Sequence, residues 1–222
     1  MEPTLATRSQ TVSETISETE TISAPIAGQL RSATQVAHRN LEQVPLLARL
    51  LNHDLSTVEY RSILLAFYHF YAPLEPIIRE FAPYSYHSRS QALLTDLKHL
   101  DISAPLVDKK CFAQQMQTLP RLQRELAAFA SLYVIEGSTA GGQIISRRLA
   151  KTQPSLPCEF FNIWQRQPDT WQAWRQWSTH IDQKLASNLL NKCQFDFIIA
   201  HANATFNELQ AIFQLQSPHL AT

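Results

Sequence analysis

The stretch LYVIEGSTAGGQIISRRL, residues 132–149, holds three of the four glycines of this 222-residue chain, Gly137, Gly141 and Gly142. Its flanks, RELAAFASLYV and QIISRRLAK, are strong helix formers with apolar residues at helical spacing. Glycine within a helix costs about 0.5–1 kcal/mol against alanine, so three together weaken the helix that carries them. Two explanations are open. Missing side chains let the backbone approach a flat ligand over which the weakened helix bends, or Gly137-Ser-Thr-Ala-Gly141 is a smooth face for another helix. In either case Leu126, Tyr133, Gly137, Ala140, Gly141 and Ile144 project on one side of a continuous helix opened by Pro120, and that side is expected to be buried.

Outward from this stretch the pattern is helical throughout. Residues 26–44 form an amphipathic helix with the apolar stripe Ile26, Leu30, Ala33, Ala37, Leu41 and Val44. On its shoulder lie Arg31, Thr34, His38 and Glu42. Arg31 and His38 are two turns apart, ~10 Å of rise. Glu42 follows His38 by one turn, where its carboxylate can accept from the imidazole. That contact fixes the tautomer and raises the basicity of the other ring nitrogen, as a metal-bound histidine requires. An ordinary surface pair is the plainer alternative.

Pro45 ends this pattern, and LLARLLNHDL follows as a short piece. Ser56 and Glu59 are a capping box for an apolar helix that Pro73 and Pro76 are expected to kink. Its His69 is a rival ligand, but its aromatic company more often marks a core histidine satisfied by hydrogen bonding. SRSQALLTDLKHLD, a short CFAQQMQTLP piece, WQAWRQWSTHIDQKL and LNKCQFDFIIAHANATFNELQAIFQ supply the remaining helices. No alternating strand pattern with hairpin signals occurs. The fold class is all-α, a bundle of about seven helices in one domain over residues 26–216.

Residues 1–25 contain ten serines and threonines, four glutamates and no aromatic residue. Such a segment buries too little apolar surface to offset ordering, which predicts a disordered tail. Nineteen basic residues balance nineteen acidic ones, so there is no electrostatic footprint for nucleic acid. No apolar run approaches the ~18 residues of a spanning helix. Cys111, Cys158 and Cys193 form no metal pattern and read as thiols of a reducing cytoplasm. Glu59, Glu75, Glu80 and Glu125 each lack a histidine three residues on, which argues against a di-iron carboxylate site. Nothing around the cysteines singles out a nucleophile for a thiamin-degrading hydrolase.

Two motifs, about 100 residues apart, carry a resemblance. ATQVAHRNLE (residues 33–42) resembles the proximal helix of haem oxygenases, and EGSTAGGQII (residues 136–145) resembles their glycine-rich distal helix. With LYVIEGSTAGGQ and FYAPLE, the closer likeness is to the bacterial type associated with bacteriophytochromes. The resemblance covers residues 29–214. It implies a haem-oxygenase-like multi-helix bundle converting haem to biliverdin, carbon monoxide and ferrous iron with dioxygen. Electrons would come from a ferredoxin or an NADPH-dependent reductase, and the product would serve a bacteriophytochrome.

By the same resemblance His38 is the axial ligand of the haem iron, Glu42 orients it, and Thr34 belongs to the same motif. Arg31 reaches a propionate, with Arg175 in WQAWRQW as a second candidate. Phe206 lines the pocket or belongs to the core. Gly137, Gly141 and Gly142 lie against the porphyrin, with Ser138 and Thr139 beside them. Where many family members carry an aspartate after the first glycine, this chain has Ser138, which can hold a water but cannot ionise. The same scaffold without turnover would be a haem carrier or sensor.

Overall fold

A computed structural model describes residues 25–82, 84–103, 106, 112–166, 170–187 and 190–216. The serine- and threonine-rich segment up to residue 24, and Cys111, lie outside these residues. The described helices are α1 (Ile26–Glu42), α2 (Pro45–Ala48), α3 (Thr57–Phe81), α4 (Arg89–His99), α5 (Phe112–Gln117), α6 (Arg121–Gly137), α7 (Thr139–Thr152), α8 (Thr170–Ala186) and α9 (Lys192–Gln216). Short 3₁₀ turns occupy Arg49–Leu51 and Ile163–Arg166. Regular structure among the described residues is entirely helical, with nine α-helices rather than about seven. None is long and apolar enough to cross a membrane.

The frame is set by α3, α6 and α9, which pack on one another, with α1 against α9 and α4 against α3. Apolar residues on most faces of α3 explain its central place: Tyr60, Ile63, Leu64, Phe67, Phe70, Tyr71 and Leu74 are all buried. The Phe67 ring meets Phe213 of α9 edge-on, 5.0 Å between centroids. The helix starts at the expected box, where the Glu59 amide donates to Ser56 Oγ and the Ser56 amide to Glu59 Oε2, at 3.2 and 2.8 Å. It continues without interruption through Pro73 and Pro76. On α1 the stripe differs by one residue. Thr34 is buried and Ala33 exposed, because the Thr34 hydroxyl is satisfied internally, donating to the Leu30 carbonyl at 2.7 Å.

The irregular segment after α7 is held by buried polar groups. Asp96 of α4 accepts from the Glu159 and Phe160 amides at 2.8 and 2.9 Å. Tyr60 donates to the Pro157 carbonyl at 2.6 Å. Burial pushes the Asp96 carboxyl up to about 6, against the pull of those two amides.

On α9, His201 is stacked against Phe112 of α5, 4.8 Å between centroids, and against Phe197 at 5.8 Å. Its Nε2 is buried with no hydrogen-bond partner, and burial pushes its pKa down to about 4. An unfolded histidine titrates near ~6.5, so between these values the unfolded chain binds more protons than the folded one. The stability contribution is therefore complete above about pH 6.5 and lost as the pH falls toward 4. In His201→Phe the urea midpoint should fall less between pH 7 and pH 5 than in the parent. Equal falls would show that His201 does not carry this acid sensitivity.

Candidate functional site

The imidazole of His38 projects from the exposed shoulder of α1, with Nδ1 3.6 Å from Glu42 Oε2. This is an ion-pair distance rather than the hydrogen bond expected from spacing, because both side chains are more than half exposed and no neighbour draws them together. The ring's other side meets Phe206 of α9 edge-on, 5.5 Å between centroids. Phe206 is buried, so it is a core residue that also backs the histidine. With Nδ1 turned toward Glu42, Nε2 is the nitrogen left to act as an electron-pair donor.

The glycine stretch departs from the sequence expectation in two ways. The helix does not run through it: α6 stops at Gly137 and α7 begins at Thr139. Ser138 forms the joint, its hydroxyl donating to the Ile135 carbonyl at 2.6 Å and its amide to the Val134 carbonyl at 3.1 Å. A side chain thus takes up a carbonyl that a continuing helix would have bonded. Nor is the glycine face buried, since Gly137 and Gly141 are exposed and Ile144 is 61 % exposed. A Cβ added at Gly137, Gly141 or Gly142 would meet nothing within 4 Å. None of the three has a positive φ. Neither helix packing nor backbone conformation requires glycine here.

The two motifs are connected through Tyr133 of α6. Its hydroxyl lies near Thr34 and the Arg31 charge; burial raises its pKa, while those two neighbours act against the rise. His38 lies one turn beyond Thr34 on α1, and Gly137 one turn beyond Tyr133 on α6. Trp174 of α8 packs 6.2 Å from the Tyr133 ring and 5.7 Å from Phe129. Its exposed neighbour Arg175 brings a second cation to α8. Thr34, Arg31, Tyr133 and Trp174 thus form one connected group, with His38 and Phe206 as a second contact on the same helix.

Behind the joint lies a polar cluster that spacing alone did not reveal. Glu136 accepts from Tyr84 at 2.9 Å and from Arg89 Nη2 at 2.9 Å. Glu75 of α3 accepts from the Arg89 amide at 2.5 Å, from Ser88 at 2.7 Å, from Ser90, and from Tyr86 at 3.2 Å. Tyr71 of α3 lies near Ser138, which acts against the rise by which burial pushes the Tyr71 pKa up to about 12. The available signal was Glu136 itself, a carboxylate next to glycine at the C-terminal end of a helix.

Among the described residues no three His, Cys, Asp or Glu side chains come together as a metal site. What these elements expose is one imidazole donor on α1, a guanidinium group on each of α1 and α8, and a glycine-bearing stretch at the α6–α7 joint. That set suits a flat, anionic, iron-bearing macrocycle.

Comparison with known proteins gives one family description. The Heme oxygenase family model matches residues 24–215. A relative from Xanthomonas campestris pv. campestris (strain 8004) described as Heme oxygenase is 37 % identical over 70 residues, 31 % of this chain. The matching stretch spans 41 % of that curated relative's length. Two solved structures share the fold. Heme oxygenase-1 from the cyanobacterium Synechocystis sp. PCC6803, in complex with heme, aligns with a TM-score of 0.66 at 19 % identity, covering 89 % of this chain and 94 % of that one. Heme oxygenase from Leptospira interrogans aligns with a TM-score of 0.69 at 22 % identity, covering 86 % of this chain and 100 % of that one.

Proposed function

The chain belongs to the haem oxygenase family, and from that premise we propose that it binds haem beside α1 and the α6–α7 joint. There it cleaves haem oxidatively to biliverdin, carbon monoxide and ferrous iron. The observation that carries this reading is the open glycine face, where neither packing nor φ accounts for the missing side chains. Haem, when bound, supplies the iron and ring at which dioxygen and external electrons react, and is itself consumed.

The protein's part is to bind, orient and supply protons. His38 would provide Nε2 to the iron, and the Glu42 carboxylate 3.6 Å from Nδ1 favours a proton on that nitrogen, leaving Nε2 as the donor. Phe206 limits rotation of that ring from behind. Arg31 and Arg175 pair with the propionates. Gly137, Gly141 and Gly142 let the helix backbone lie against the macrocycle, and Ile144 covers apolar ring surface. Ser138 and Thr139 hold water on that side, and Tyr71, beside Ser138, supplies a further hydroxyl where an aspartate is absent.

The electron donor is a ferredoxin or an NADPH-dependent reductase, and the biliverdin serves a bacteriophytochrome. The free thiols of Cys158 and Cys193 accord with the cytoplasm as the place of work. The test is a hemin titration followed by a competent electron donor and air. Loss of the Soret band with growth of biliverdin absorbance is expected. A haem complex that survives those conditions would instead identify a carrier, with Ser138 as its cause.

A further inference from the structure

Glu136 stands where local rules disfavour it. It lies in the last turn of α6, at the negative end of the helix dipole, in a turn with no basic residue. It is also 2 % exposed, and a carboxylate removed from water persists only when paired and hydrogen-bonded. Its partners come from a separate part of the chain: Tyr84, and Arg89 at the start of α4. Arg89 is itself buried and lies over the Tyr86 ring, 5.2 Å from its centroid. Apolar residues at both 136 and 89 would fill this space without desolvating a charge pair, and such replacements of a whole pair are often neutral or stabilising. Stability alone therefore does not account for the pair.

Its place in the chain does. Glu136 is bonded directly to Gly137 and is two residues from Ser138, where α6 stops. On one side of the joint lies this buried anchor; on the other lies the open glycine face. The remaining charged and titratable groups reinforce the anchor. Glu75 is occupied by the amides of Arg89 and Ser90 and by nearby hydroxyls, with Arg79 3.6 Å away, so it holds the start of α4 and thereby Arg89. Tyr71, one turn before Glu75 on α3, lies beside Ser138. Burial and the Glu136 carboxylate keep the Tyr84 hydroxyl protonated as its donor.

We propose that Glu136, clamped by Arg89 and Tyr84, is a positioning residue that fixes the α6–α7 joint and so the orientation of the glycine face. Its link to haem rests on the function proposed above; the fixing of the joint does not. Two variants and two readouts separate these. In haem-free Glu136→Gln, amide hydrogen exchange over residues 134–142 should accelerate by about tenfold or more relative to α3. In the ferric haem complex of the same variant, azide affinity, which reads the face opposite His38, should change by about tenfold while haem affinity stays within about threefold.

The double variant Glu136→Leu with Arg89→Met removes both charges and should return the melting temperature to the parent value, with azide affinity still altered. Unchanged exchange in Glu136→Gln, or azide affinity that returns together with stability in the double variant, would overturn the proposal. A parent protein that binds no haem would overturn the haem reading, and the exchange result would then decide for or against Glu136 by itself.

Discussion

Gly141→Leu is expected to fold at least as well as the parent chain and to bind haem about 10–100-fold more weakly. A Cβ at Gly141 meets nothing within 4 Å, and a side chain there replaces a residue that costs α7 about 0.5–1 kcal/mol. Gly141→Ala should therefore raise the melting temperature. Leucine extends further along the same open face, into space that a flat ligand needs, where overpacking costs about 1–3 kcal/mol. If the glycine served helix packing, the outcome would reverse, with stability falling and haem affinity unaffected. Thermal melts and hemin titrations of the two variants distinguish these cases. A destabilised Gly141→Leu that binds haem normally would remove the main support for the site.

His38→Ala should abolish the ordinary Soret spectrum of the complex while leaving the fold intact. The side chain is 51 % exposed, and surface replacements away from special features usually change stability by less than about 0.5 kcal/mol. Haem would lose its one imidazole donor on α1, a larger effect than the ~10–100-fold typical of losing a supporting group. Added imidazole should restore the spectrum. Glu42→Gln, which keeps the shape but not the charge beside Nδ1, should weaken binding by only about tenfold. An unaltered spectrum in His38→Ala would direct attention to another ligand, with half-buried His69 the next to replace.

The helical architecture was legible because the apolar spacing is strong and the start signals are local. Ser56 and Glu59 lie three residues apart, and their mutual hydrogen bonds need nothing from the rest of the chain. His38, Glu42 and the glycines were likewise visible as short-range motifs. The interruption at Ser138 was not, because the flanking residues favour helix and Glu136, beside the joint, has partners remote in sequence. The exposure of the glycine face was missed for a related reason. A helical projection assigns a side to each residue but does not say whether another helix covers that side. Thr34 was misassigned because polarity was taken for exposure, although a threonine hydroxyl can turn back to its own helix. The Glu136–Arg89 pair spans 47 residues, and no spacing rule connects positions so far apart.

The attachment of α1 also bears on when the site exists during synthesis. The Ile26 amide at the start of α1 donates to Asp182 of α8 at 2.5 Å, and Asn203 of α9 donates to the Ala33 carbonyl at 3.3 Å. These contacts join residues 156 and 170 positions apart. The helix bearing His38 leaves the ribosome well before α9, yet α9 is the helix it packs against most. A short helix without its packing partners is marginal in water, and a nascent chain has no α9 to offer. The histidine and the phenylalanine behind it, 5.5 Å apart between ring centroids, therefore meet only once α9 has been translated.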